Sequence, residues 1–229
     1  MGAKVAPMHD DEARRRRGAM VQTQIADRGV RSPSVLAAMG RVAREDFLPE
    51  PLRNSAYADR ALPIEAGQTL SQPYIVARML EAAEIGPHDR VLEVGAGSGY
   101  STAVLALLAG HVVALERHAE LAELARSRLK RLGHRNVEVH CADGSVGWPA
   151  LAPFDAILVD AGGPEVPEAL REQLAPGGRL VMPVGASFHF QHLVKLTRRS
   201  ATEFDREVLD AVAFVPLVGA QGWAEGEAR

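Results

Sequence analysis

One stretch constrains the fold of this chain more than any other: Arg90 to Glu116, RVLEVGAGSGYSTAVLALLAGHVVALE. A short apolar run, the length of a buried strand, leads into a turn with glycines at Gly95, Gly97 and Gly99. A helix-length segment follows, and a second apolar run ends on Glu116. Strand, glycine turn, helix and strand in that order read as a nucleotide-binding unit, and the glycine spacing narrows the ligand. A dinucleotide fingerprint reads G-x-G-x-x-G and would place its third glycine at position 100, which is Tyr100. The pattern E-x-G-x-G-x-G suits a cofactor with no pyrophosphate to cradle, and S-adenosylmethionine (AdoMet) is the one expected.

The rhythm continues downstream. Strands are predicted at 90–95, 111–116, 137–141, 155–160 and 179–184, with helices at about 100–109, 119–132 and 166–174 and a shorter turn near 146–151. Such alternation implies a parallel sheet covered on both faces. After Gly185, segments 189–198, 203–210 and 212–217 read as consecutive strands, an antiparallel edge to the sheet. Ahead of the sheet, residues 1–9 read as a loose tail and 10–28 as a helix ended by Gly29. Ser32 can cap a second helix, with Pro33 at its first position, that stops near Gly40. Residues 44–74 carry several Pro and Gly and little periodicity. Loops that long are functional or disordered, and the aromatic and apolar content, Phe47, Tyr57, Ile64 and Leu70 among it, argues against disorder. A helix resumes from Ile75 to Glu84. The expected fold is α/β: a doubly wound, mostly parallel, Rossmann-like sheet of the kind found in AdoMet-dependent methyltransferases, with N-terminal helices and an antiparallel C-terminal edge. One domain is expected over 1–229, with helices and a substrate loop in 10–84, the AdoMet-binding core in 85–185 and C-terminal strands and tail in 186–229.

The totals exclude several classes. A chain of 229 residues, 47% hydrophobic and 24% charged, is long enough for one sizeable core. A formal net charge of -3 gives no electrostatic case for nucleic acid as the main partner. The run Arg14–Arg17 sits beside Asp10, Asp11 and Glu12 and reads as a solvated helix face. A single cysteine, Cys141, permits no intrachain disulfide and reads as a small core residue at a strand end. No apolar run reaches the ~18 residues of a membrane helix. The first seventeen residues have no apolar core after their charges, and Ala6 stands where a myristoylation signal needs Ser or Thr. The expectation is a cytoplasmic protein with no membrane partner, and a monomer. His189 and His192 are three apart on a predicted strand, so they face opposite sides, and no metal site is expected.

Within the core, residue types suggest roles. The glycine turn lets backbone N–H groups approach the carboxylate of a methionine tail, with a helix N-terminus behind it. Glu93 is placed to meet the ammonium group of that tail or to order the turn. Glu116, 17 residues after Gly99, can accept hydrogen bonds from both ribose hydroxyls, or is a solvated acid at a strand end. Asp143-Gly144 ends the third core strand, where a short carboxylate can meet the exocyclic amine of adenine, although Asp-Gly alone is a turn signal. Trp148 packs over the cofactor or into the core. The fourth core strand ends at Asp160, so 160–164 should border the site.

The residues before the glycine turn go further. LPIEAGQTLSQPYIVARM (Leu62–Met79) closely resembles the segment that protein-L-isoaspartate O-methyltransferases place just ahead of their cofactor domain. RVLEVGAGSGY, ADGSVGW with APFDAILV, PEVP with QLAPGGRLVMPVG, and the terminal FVPL (Phe214–Leu217) also resemble that family, and MVQTQIADRGV and VLAAM resemble its N-terminal helices. The likeness covers about residues 18–218. The glycine motif is shared by many methyltransferases; GQTLSQP and FVPL are far more specific.

The resemblance implies methyl transfer from AdoMet to the α-carboxylate of L-isoaspartyl residues in damaged proteins and peptides. The ester then cyclises to a succinimide, which hydrolyses partly to aspartate. A carboxylate is already ionised at pH ~7, so the attack needs no general base and rests on in-line positioning. It also implies that Ser71 lies at the active site and donates to the isoaspartyl carboxylate, where residues alone would suggest a helix cap before Pro73. Thr69 and Gln72 are further candidates to bind substrate, as are Val215, Pro216 and Leu217, whose other reading is edge-strand core. The chain departs from the family pattern at Glu65, where L-P-I-G is usual, at VARE (Val42–Glu45) in place of V-P-R-E, and at Asp160-Ala161-Gly162-Gly163, where a small residue and alanines are common. A carboxylate at 160 facing the site would repel an acidic acceptor; facing away, it would have no effect. Two other functions fit the same residues: methylation of one dedicated peptide, and non-catalytic AdoMet binding, against which an intact Ser71 and glycine turn both count. The net charge, and the lack of an N/D-P-P-Y/F-type motif after the fourth core strand, disfavour a nucleic-acid methyltransferase.

Overall fold

The computed structural model describes residues 10–187 and 190–227; the expected tail at 1–9 and His189 lie outside the described residues. The chain opens with α1 (Asp10–Ala19), which runs on as a π-helical segment Met20–Ala26, and then α2 (Pro33–Arg41). Acidic Asp10, Asp11 and Glu12 occupy the first turn of α1, where the helix dipole favours negative charge. Arg15 and Arg16 both pair with Glu12, so this part of the arginine run is a solvated face. Ser32 is the N-cap of α2 and Pro33 its first residue, but the Ser32 hydroxyl faces Ser34 rather than a backbone N–H.

The irregular stretch that follows is built of short 3-10 turns (Arg44–Phe47, Glu50–Ser55) and a small hairpin, β1 (Leu62–Pro63) with β2 (Thr69–Leu70). Leu62 and Leu70 pair across the hairpin and are buried, so its apolar residues anchor a segment with almost no ladder of its own. α3 (Pro73–Ala82) then leads into the sheet.

The core alternates β3 (Arg90–Val94), α4 (Tyr100–Leu105), β4 (His111–Glu116), α5 (Ala119–Arg131), β5 (Val137–Cys141), β6 (Phe154–Val159), α6 (Glu168–Glu172) and β7 (Leu174–Ser187), with β8 (Phe190–Arg198) and β9 (Phe204–Val212) after it. The sheet order is β5-β4-β3-β6-β7-β8-β9; the strands from β5 to β7 pair in parallel, and β8 and β9 add an antiparallel edge. Successive residues of a strand face opposite sides, and the core divides accordingly. Val91, Ala114 and Leu158 join the N-terminal helices, α4 and α5 on one face, whereas Leu92, Val113, Leu115 and Ile157 join Leu170 and Leu217 on the other.

Several local expectations change. α4 stops at Leu105 and passes into turns, because Leu107 and Leu108 N–H bond back only three residues. α6 is five residues long, and β7 starts at Leu174 with a register shift against β6, where Gly177 takes φ 77°. The expected strand at 212–217 is not one. β9 ends at Val212, and the chain leaves the sheet edge to pair with Gly162 beyond β6, through Gly162 N–H to Val215 O and Leu217 N–H to Gly162 O, both 2.8 Å. Cys141 is exposed rather than core, because β5 is an edge strand. No helix among the described residues is long and apolar enough to cross a membrane.

Candidate active site

β3 is flanked by β4 on one side and β6 on the other. This is the point where strand order reverses, and in open α/β sheets ligands lie there, beyond the carboxyl ends of the strands. A cavity of about 450 Å³ opens there, within the ~300–1,000 Å³ of small-molecule sites. Its floor is the glycine turn. Gly95 and Gly97 line it with φ of 93° and 53°, a left-handed backbone with no Cβ in the way, and their own N–H groups turn to the end of β4, to Leu115 O at 2.8 Å and the Glu116 carboxylate at 2.9 Å. Gly99 does not line it. A Cβ there would stand 3.3 Å from Ala125, so this glycine lets α4 approach α5.

The acidic residues divide by position. Glu116 lines the cavity, nearly buried, and its two oxygens accept from Gly97 N–H and His118 N–H at 2.9 Å each. It is therefore not a solvated strand-end acid; it braces the glycine turn from β4. Glu93 lies behind the turn, fully buried, and accepts from Thr102 Oγ1 of α4 at 2.5 Å. Burial pushes the Glu93 carboxyl up to about 8, and the neighbouring Asp160 adds to the rise. Burial likewise pushes Asp160 up to about 7. One oxygen of each, Glu93 Oε1 and Asp160 Oδ2, is buried with no protein partner.

Gly144 lines the cavity, whereas half-buried Asp143 does not. The Asp143 carboxylate accepts from Ser145 N–H (2.8 Å), Ser145 Oγ (2.7 Å) and Ala220 N–H (2.8 Å). Burial opposes its charge, but these bonds, led by the Ala220 N–H, outweigh it and hold the carboxyl below its usual range. Asp143 thus fixes the 3-10 turn Gly144–Val146 and straps the C-terminal segment across the cavity mouth. The strap is tied further by Trp223 Nε1 to Gly162 O (3.0 Å) and by Arg117–Glu225 (2.9 Å). Trp148 does not line this cavity: it stacks on His140 with ring centroids 4.3 Å apart and packs against the second core face.

The hairpin β1–β2 closes the opposite side. Ile64 sits over Gly97, 3.5 Å from where a Cβ would be. Glu65, a departure from the family pattern, turns away from the cavity and pairs with Arg128 of α5 at 3.1 Å. A second hollow, an apolar groove, adjoins the first and is lined by Gln72, Ile75, Phe190 and the stretch from Ala211 to Val215. Thr69, Ser71, Asp160 and Val215 border both. Pro216 and Leu217 line only the first. Gln72 is the N-cap residue of α3, and its side-chain amide donates to Asp59 Oδ1 at 2.7 Å. The Ser71 hydroxyl therefore caps no helix.

Sequence patterns missed one residue that shapes this junction. Arg44 is completely buried and donates from Nε to Ala56 O (2.8 Å) and from Nη2 to Ser71 O (2.6 Å), with its guanidinium 4.9 Å from the Tyr100 ring centroid. Its place in VARE gives no hint of this, since an arginine in a polar stretch is ordinarily solvated.

A three-glycine turn braced by an acid at the end of the next strand, on a doubly wound sheet with an antiparallel edge, defines an AdoMet-dependent methyltransferase. The sequence profile of the protein-L-isoaspartate(D-aspartate) O-methyltransferase family (PCMT) matches residues 15–222, and the chain belongs to that family. A protein-L-isoaspartate O-methyltransferase of Rhodopseudomonas palustris is 59% identical over 208 residues, 91% of this chain and 95% of the relative. One from Protochlamydia amoebophila is 52% identical over 204 residues, 89% and 97% of the two chains. Among solved structures, a protein-L-isoaspartate O-methyltransferase superposes with a TM-score of 0.81 at 30% identity, covering 91% of this chain and 67% of that one. A putative Plasmodium falciparum member in complex with S-adenosyl-L-homocysteine gives 0.73 at 26% identity, covering 86% and 96%.

Proposed function

We propose that the two adjoining hollows divide the reaction, the glycine-floored cavity holding the methyl donor and the apolar groove the acceptor. The activity is AdoMet-dependent methylation of the α-carboxylate of L-isoaspartyl residues, the step that opens repair through a succinimide. The observation that carries this reading is the junction, where Thr69, Ser71, Asp160 and Val215 border both spaces. When bound, AdoMet supplies an electrophilic methyl on a sulfonium. Gly95 and Gly97 give its methionine tail a floor free of side chains, Glu116 faces its ribose, and Gly144, on the turn that Asp143 fixes, faces its adenine end, with Glu93 and Gly99 ordering the turn from behind. Ser71 Oγ donates to the acceptor carboxylate and holds it in line, while Thr69, Gln72, Val215, Pro216 and Leu217 flank the peptide or the junction. The acceptor is already an anion, so orientation does most of the work. We read the protein as a cytoplasmic monomer acting on isoaspartyl proteins and peptides rather than nucleic acid, in keeping with its net charge of -3.

The test is transfer of labelled methyl from AdoMet to a matched pair of peptides containing isoaspartate or aspartate. Base-labile transfer to the isoaspartyl member alone is expected; transfer to neither, with AdoMet still bound, sinks the reading. Ser71→Ala should lower turnover about 10-fold or more, the effect of losing one charge-assisted hydrogen bond, with AdoMet affinity kept. An equal loss of both would make Ser71 structural.

A further inference from the structure

Asp160 stands where the family pattern usually carries a small residue, and it borders both the donor cavity and the acceptor groove. An ionised carboxylate at that junction would repel an incoming carboxylate. Its surroundings set how the chain accommodates it. Asp160 Oδ2 is buried with no protein partner. The Asp160 backbone is held in place by its N–H to Val94 O at 2.8 Å, and a Cβ on Gly95 would lie 3.5 Å from Asp160 Cβ, so the side chain is packed against the end of β3. The charged group that faces it from β3 is Glu93, itself an acid and fully buried. The remaining charged groups of the donor cavity, Glu116, Arg117, His118 and Glu225, belong to the end of β4 or pair with it, on the far side of β3. Among the described residues, the acceptor groove holds no charged side chain except Asp160.

We propose that Asp160 binds the acceptor carboxylate as a neutral acid, donating its proton in a hydrogen bond alongside that of Ser71 Oγ, so that peptide binding above neutral pH takes up a proton. The proposal rests on the acceptor reading given above. Two carboxyls brought together share one proton more readily than both ionise. Burial already holds the Asp160 proton into the neutral range, and Glu93 provides no positive charge to remove it. The residue that looks repulsive in the sequence thereby becomes a donor, and it sets a preference for acceptors that can accept a hydrogen bond from an acid.

The test measures KM for an isoaspartyl peptide and kcat from pH ~6 to ~9, at saturating AdoMet, for the wild type, Asp160→Asn and Asp160→Ala. Wild-type KM should rise above about pH 7, approaching about tenfold per pH unit as one proton is taken up, with kcat changing less. The Asn variant keeps a donor that cannot ionise, so its KM should stay low and flat. The Ala variant should show a raised KM at every pH. A second measurement needs no variant: calorimetry of peptide binding to the S-adenosylhomocysteine-bound protein near pH 8, in buffers of different ionisation enthalpy, should report uptake approaching one proton. A pH-independent wild-type KM, the same rise in the Asn variant, or no proton uptake each overturns the proposal. Failure of the wild type to methylate the peptide at any pH overturns the acceptor reading instead.

Discussion

Replacing Arg44 by methionine tests how the acceptor loop is held. The wild-type guanidinium makes two charge-assisted hydrogen bonds to the carbonyls of Ala56 and Ser71, at 2.8 and 2.6 Å, and lies against the Tyr100 ring. At about 1.5–3 kcal/mol for each bond and about 1 kcal/mol for the cation–π contact, truncation forfeits about 4–7 kcal/mol. Methionine also relieves the protein of a fully buried charge whose Nη1 has no partner. That desolvation opposes folding by several kcal/mol, so the expected net loss is about 2–4 kcal/mol. For a chain of this size the loss should lower Tm by about 4–16 °C, at roughly 2–4 °C per kcal/mol. The functional signature should be selective. With the Ser71 carbonyl released, KM for the isoaspartyl peptide should rise, whereas the Kd for S-adenosylhomocysteine, set by the glycine turn and Glu116, should stay within about twofold. Arg44→Lys keeps the charge without the two-pronged geometry and should fall between the two. Thermal melts and calorimetry supply both readouts. A methionine variant within ~0.5 kcal/mol of wild type, the range of an ordinary surface change, would refute the reasoning, as would a lysine variant indistinguishable from wild type.

Two further outcomes follow from the geometry of the donor cavity. A Cβ on Gly144 would lie 2.3 Å from Val94 Cγ1, so Gly144→Ala should cost about 1–3 kcal/mol of stability through overpacking and weaken S-adenosylhomocysteine binding measured by titration; unchanged affinity would mean that the turn can move aside freely. Glu93, raised from 4.5 to about 8, keeps its proton in the folded ligand-free protein after the unfolded chain has lost it. Its contribution is therefore fully present below its unfolded value and is lost as pH rises through about 8. Denaturant midpoints of wild type and Glu93→Gln, compared from pH ~5 to ~9, should shift in favour of the glutamine variant as pH rises, and a difference independent of pH would contradict the burial argument.

Much of this molecule is legible along the chain because its determinants are local. Strand-length apolar runs, helix-period segments between them and glycines at fixed offsets require only neighbouring residues to be read, and they specified β3 to β6 and the cofactor turn. The segment around Ser71 was readable through its likeness to a family, since its 3-10 turns and two-residue strands carry no period. The path of Val215 to Leu217 was not: these residues alternate like a strand, but pairing with Gly162 draws them off the sheet edge and into the site.

The sequence by itself determined the parallel core, the AdoMet turn and the acidic residue beyond it, because each follows from spacing within one or two elements. Only the tertiary structure decided what the charges do. Glu65 is paired with Arg128, 63 residues away; Asp143 is tied to Ala220; Arg44 is buried beneath Ser71; and Asp160 is set at the junction of donor and acceptor. A side chain's charge and hydrogen-bonding state depend on burial and on partners distant in sequence, and the fold brings those partners together.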